Sequence, residues 1–135
     1  MKKKIFAIAC LILTIALSTI LFDSCDKDTN CYVEVTVVDE TTLAPISGAF
    51  VKIDIDSSYI NAQGITNAAG RFDAVFAAPA IFNVNVTYED GYDETHTPAE
   101  YYCYRTGSNT IKLKEGDTVA VTVNVEAYVH KEFRQ

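Results

Sequence analysis

From Tyr32 onward the apolar residues of this chain fall on every second position. Val33, Val35 and Val37 alternate with Tyr32, Glu34 and Thr36, and Val119, Val121, Val123 and Val125 repeat the pattern near the other end of the chain. A period of two puts one set of side chains on each face of an extended strand, whereas a helix needs a period near 3.6. Outside the first two dozen residues no segment has a helical period. The chain is therefore constrained to bury strand faces against one another.

Further segments obey the same rule. Ala49, Val51, Ile53 and Ile55 alternate with Phe50, Lys52 and Asp54. Tyr59 to Thr66 reads as a short third strand interrupted near Gly64. Phe72, Ala74 and Phe76 share one face, as do Phe82, Val84 and Val86, and Ile111 and Leu113 mark a sixth strand. Turn chemistry separates them: Asp39 to Pro45, Asp56-Ser57-Ser58, Asn67-Ala68-Ala69-Gly70 and Glu115-Gly116-Asp117. The predicted fold is all-β, a seven-stranded antiparallel β-sandwich. It occupies residues 31–127 and is followed by a charged tail over 128–135.

The N-terminus is of another kind. Met1-Lys2-Lys3-Lys4 is basic, and Ile5 to Phe22 is apolar apart from Cys10, Thr14, Ser18 and Thr19. This is the layout of a secretory signal, with a retained signal-anchor as the alternative; both place the rest of the chain outside the cytoplasm. Ser24-Cys25 closes the run and Asp26-Lys27-Asp28 follows at once. The junction resembles the lipobox of bacterial lipoproteins, those of the Bacteroidota in particular. That resemblance implies diacylglycerol on the Cys25 sulfur, removal of residues 1–24 and a polar tether over 25–30. Acidic residues after the cysteine imply export to the cell surface, with the periplasmic side of the outer membrane as the other location.

Removing the leader leaves 111 of 135 residues, enough for one domain. Eight basic and seventeen acidic side chains remain, a charge of −9 with both histidines neutral. A domain this acidic repels phosphate backbones, so nucleic acid is not an expected partner. Cys31 and Cys103 form an even pair in an exported domain and can be a disulfide, or two buried thiols.

Val38-Asp39, Ala44-Pro45-Ile46-Ser47-Gly48-Ala49-Phe50-Val51, Thr66-Asn67-Ala68-Ala69-Gly70-Arg71-Phe72 and Gly91-Tyr92 together resemble the carboxypeptidase regulatory-like domain. The resemblance covers about residues 32–92 and implies a transthyretin-like sandwich. It also implies that the proline-bearing stretch turns into the second strand and that the Thr66–Phe72 stretch forms a hairpin with its aromatic in the core. Departures are a missing glycine at the start of the first strand and Ala80 where a Pro-Gly pair is common.

The residues offer little for catalysis. His96 and His130 are far apart in sequence and His130 lies in the tail, and Asp54-Ile55-Asp56 lacks the glycine and distal glutamate of a calcium loop. No Gly-x-Ser-x-Gly elbow or phosphate loop is present, and Glu89-Asp90 and Asp93-Glu94 lie among solvent-facing residue types. Neither a metal nor a cofactor is expected. Asp117-Thr118-Val119 is similar to a short O-glycosylation motif of exported Bacteroidota proteins, and equally reads as a turn into the last strand.

The candidate ligand site is Tyr88 to Tyr104, an aperiodic stretch holding five of the eight tyrosines among carboxylates. Tyr92, Tyr101 and Tyr102 are its candidate contact residues, presented from a long loop; packing of these rings into an edge strand is the alternative. The function expected is that of a non-catalytic, membrane-anchored surface lipoprotein binding a glycan or an envelope protein. A pilus- or adhesin-associated structural subunit is the alternative. A fatty-acid probe fed to expressing cells should label the wild-type chain and leave Cys25→Ala unlabelled; equal labelling would remove the anchor.

Overall fold

A computed structural model of the chain describes residues 27–56, 58–92 and 101–133, with Tyr92, Tyr101 and Phe133 described by backbone alone. The leader, Cys25 and His96 lie outside the described residues. Eight strands are present among those described: β1 (Cys31–Asp39), β2 (Phe50–Asp54), β3 (Asn61–Ile65), β4 (Arg71–Phe76), β5 (Ile81–Tyr92), β6 (Tyr101–Lys112), β7 (Thr118–Val125) and β8 (His130–Phe133). They form a three-stranded sheet in the order β4-β1-β7 and a five-stranded sheet in the order β3-β2-β5-β6-β8. The all-β sandwich read from the alternation is the architecture observed.

The alternation works as expected. Val33, Val35 and Val37 of β1, Phe76 of β4 and Val123 and Val125 of β7 face Val51 and Ile53 of β2, Phe82, Val84 and Val86 of β5, and Ile111 of β6. The Phe76 and Phe82 rings meet across the layer, centroids 4.2 Å apart. Each such side chain, taken out of water, contributes roughly 1.5–3 kcal/mol before entropy is subtracted.

Four expectations are corrected. The sandwich is not wholly antiparallel, because β7 runs parallel to β1, from Tyr32↔Thr118 to Asp39↔Val125. β6 descends in one sheet, the chain turns over Leu113–Asp117, and β7 climbs in the other sheet beside β1. The supposed charged tail contains β8, which pairs with Tyr101–Tyr104. The Asn67–Gly70 turn is built as expected: Asn67 Oδ1 accepts the N–H groups of Ala69 and Arg71, and Gly70 takes φ +71°. It joins β3 to β4 across the two sheets, however, rather than making a hairpin within one.

The fourth correction concerns the cysteines. No disulfide joins Cys31 to Cys103. β1 climbs eight residue steps from Cys31 to Asp39, about 26 Å. Arg105, two residues from Cys103, bonds Asp39 at the upper end of that strand. The two sulfurs thus belong to opposite ends of the sandwich, whereas a disulfide needs Cα atoms within about 7 Å.

Those ends give the molecule its axis. At the entry end lie Asn30, the β2–β3 turn, the Ala77–Ala80 connector and the β6–β7 turn, where Gly116 N–H donates to Asn30 C=O. At the far end lie the β1–β2 and β3–β4 connections and the outer halves of β5 and β6. β3 runs unbroken through Gly64, whose missing Cβ leaves room for the Phe72 ring.

Ile53 and Ile65 test which face is core. Ile53 is 0% exposed and Ile65 65%. Ile53→Ala should cost about 2–5 kcal/mol in urea denaturation, and Ile65→Ala less than about 0.5 kcal/mol.

Candidate functional site

Both described ends of the Tyr88–Tyr104 stretch are strand, as β5 runs to Tyr92 and β6 begins at Tyr101; residues 93–100 lie outside the described residues. β5 and β6 pair from Ile81↔Lys112 out to Tyr92↔Tyr102, with an irregularity between Glu89 and Gly91 where Gly91 takes φ +92°. Tyr88 faces inward beneath Arg105, whose guanidinium carbon is 5.2 Å from the ring centroid. Tyr102 stacks on Tyr104 at 5.6 Å, and Tyr104 stacks on His130 at 5.2 Å. Tyr104 also donates its hydroxyl to Glu132 Oε1 at 2.7 Å, which raises its pKa. These stacked rings help to hold β8 to β6. The side chains of Tyr92 and Tyr101 lie outside the described residues.

Arg105 is the polar keystone of the far end. Its Nη1 donates to Asp39 Oδ2 at 2.9 Å, and its Nε lies 2.8 Å from Asp90 Oδ2, too poorly aligned for a hydrogen bond. Asp90 is therefore an ion-pair partner of Arg105. Asp93 and Glu94 lie outside the described residues. His130 Nε2 meets Glu126 Oε1 at 2.6 Å, and Glu126 also accepts the Thr106 hydroxyl. Thr106, then His130, lower the Glu126 pKa. Asp54 pairs with Lys52, and Asp56 accepts from Asn83. These carboxylates serve separate partners and do not converge on one point.

The groups that do converge lie on the outer face of the five-stranded sheet. Its rungs run Ile65–Phe50–Thr87–Thr106, Gln63–Lys52–Asn85–Ser108 and Asn61–Asp54–Asn83–Thr110. On β5 and β6 every outward position over three rungs is thus an amide or a hydroxyl. Two adjoining depressions cover this surface, of about 460 and about 560 Å³, and share Asn85 and Ser108. Glu40, Asn124 and Glu126 border the first, and Asp56 borders the second. Phe50, 41% exposed, lies one strand away beside Thr87.

Sequence reasoning singled out the tyrosines and did not remark on this face. The signal was present: asparagine is depleted in strands, yet Asn83 and Asn85 alternate with Phe82, Val84 and Val86. The chain matches no family model and no curated protein.

Asp39 supplies a pH test. Its carboxylate accepts the N–H groups of Thr42 and Thr41 and the Arg105 guanidinium, which together lower its pKa from 3.8 to about 2. A depressed folded-state value stabilises the fold above the unfolded value, and that contribution is lost as pH falls toward 2. Urea midpoints measured between about pH 4 and pH 2 should fall more steeply for wild type than for Asp39→Asn. Equal slopes would show that another group carries the acid sensitivity.

Proposed function

We propose that this protein is a lipid-anchored, non-catalytic surface module that binds a glycan on the outer face of its five-stranded sheet. The observation that carries the reading is the run of Asn83, Asn85 and Thr87 opposite Thr110, Ser108 and Thr106. Amides and hydroxyls both donate and accept, which suits the paired donor and acceptor character of sugar hydroxyls. Phe50 offers an apolar ring face to the C–H side of a pyranose, next to those polar groups. Carboxylates at the border accept hydrogen bonds from hydroxyls and repel acids. Lys52 is neutralised by Asp54 at 2.7 Å, leaving little to attract an anion. The ligand class is therefore a neutral glycan rather than a uronate or sulfated one. The leader ending in Ser24-Cys25 supports anchoring, and the scattered partners of the carboxylates support a role without catalysis.

A glycan array should return neutral oligosaccharides. Asn85→Ala combined with Ser108→Ala should weaken the best binder about tenfold, the loss of two net hydrogen bonds. Because both side chains are exposed, the melting temperature should stay within a degree or two of wild type. Phe50→Ala should weaken binding likewise. Retention of full affinity by all these variants would remove the site from this face.

A further inference from the structure

The β2–β3 turn at the entry end presents side chains that the sandwich does not use. Tyr59 is fully exposed and Ile60 48% exposed, and Ile81, at the start of β5 on the same end, is 60% exposed. The described residues of the turn that carries them bond to one another. Ser58 N–H donates to Ile55 C=O, Ser58 Oγ accepts the Ile60 N–H, and Asn61 Nδ2 donates to Tyr59 C=O. Asp56 fastens the turn to β5 through Asn83. The turn thus presents a tyrosine and an isoleucine to solvent.

The chain enters at this same end. From Cys25 to Cys31 there are six residue steps, which even fully extended reach only about 20 Å. A lipid on Cys25 would therefore hold the entry end, and not the far end, near the bilayer surface. The charged groups here are mildly acidic: Lys27, Lys112 and Lys114 stand against Asp28, Asp56, Glu115 and Asp117, with Asp26 in the tether and Asp54 paired to Lys52. What is left to favour contact is apolar and aromatic, and tyrosine prefers the interfacial layer of a bilayer, where its ring is buried and its hydroxyl stays wet.

We propose that the entry end docks on the lipid surface, with Tyr59 and Ile60 seated among the headgroups of the leaflet that holds the anchor. This rests on the anchoring read from Ser24-Cys25. Docking turns a tether into a fixed stance: the far end points away from the membrane and the outer sheet face stands upright beside it. Because the contact is apolar, it should form equally on zwitterionic and anionic vesicles.

The chain contains no tryptophan, so a single substitution makes a clean reporter. Full-chain Tyr59→Trp, purified from membranes with the mass of its N-terminal peptide determined, is reconstituted into phosphatidylcholine vesicles brominated in the acyl chains. The indole emission of this variant should shift to the blue and lose more than half its intensity relative to unbrominated vesicles. A second variant, Thr41→Trp, carries its indole in the far-end turn after β1 and should show neither effect. Lipid present on Cys25 with unshifted, unquenched emission from the Tyr59→Trp variant would overturn docking and leave anchoring standing. A peptide mass without lipid would overturn anchoring and docking together. Equal quenching of the two variants would also overturn docking, since the molecule would then lie on its side.

Discussion

The two sheets of this sandwich are closed along one side by β6 and β7, which belong to different sheets and yet touch. Gly107 makes that contact possible: a Cβ there would collide with the Asn124 carbonyl. Around it the strands are fastened by three hydrogen bonds. Glu126 N–H donates to Thr106 C=O, Asn109 Nδ2 donates to Thr122 C=O, and Thr106 Oγ1 donates to Glu126. Asn109 also accepts the Thr110 N–H, so one amide side chain does at this seam what a missing strand would do for both edges. Much else follows from this closure. It fixes where β7 leaves for β8, and it borders the outer-face depression with Asn124 and Glu126.

The far end is organised by charge where the core runs out of valines. Arg105 occupies an inward position on β6 and is ion-paired from two sides, hydrogen-bonded to Asp39 at the end of β1 and beside Asp90 on β5. Asp39 in turn holds the backbone of Thr41 and Thr42. One carboxylate therefore ties the turn after β1 to the opposite sheet. A partly buried guanidinium stripped of these partners would lose its compensating charges, so the trio belongs together at this end.

The alternation made most of the sandwich legible, because valine, isoleucine and phenylalanine on one face contrast with polar residues on the other. It failed along β6. There the inward positions are Cys103, Arg105, Gly107 and Asn109, while Tyr102, Tyr104, Thr106, Ser108 and Thr110 face out. A guanidinium, a glycine and an amide each have a structural task on the inner side, and none is apolar, so the period of two is real but carries no hydropathy contrast. β8 was hidden for the same reason. It is attached by ring stacking and by Glu132 and His130, not by a buried apolar stripe. The cysteine pairing rested on number and compartment, and a count has no information about which end of a strand a residue occupies. The polar outer face was legible in part, through the asparagines that alternate with the apolar residues of β5.

Gly64 and Phe72 carry a consequence for how this sequence can drift. The ring of one lies where the side chain of the other would begin, so the two positions form a single inherited choice. A lineage that replaced Gly64 with alanine would have to move or shrink the Phe72 side chain, loosening its packing against the core for as long as the exchange was incomplete. Either step alone is penalised, and the pair is therefore held in place by the valley between two acceptable states as much as by the merit of the one it occupies.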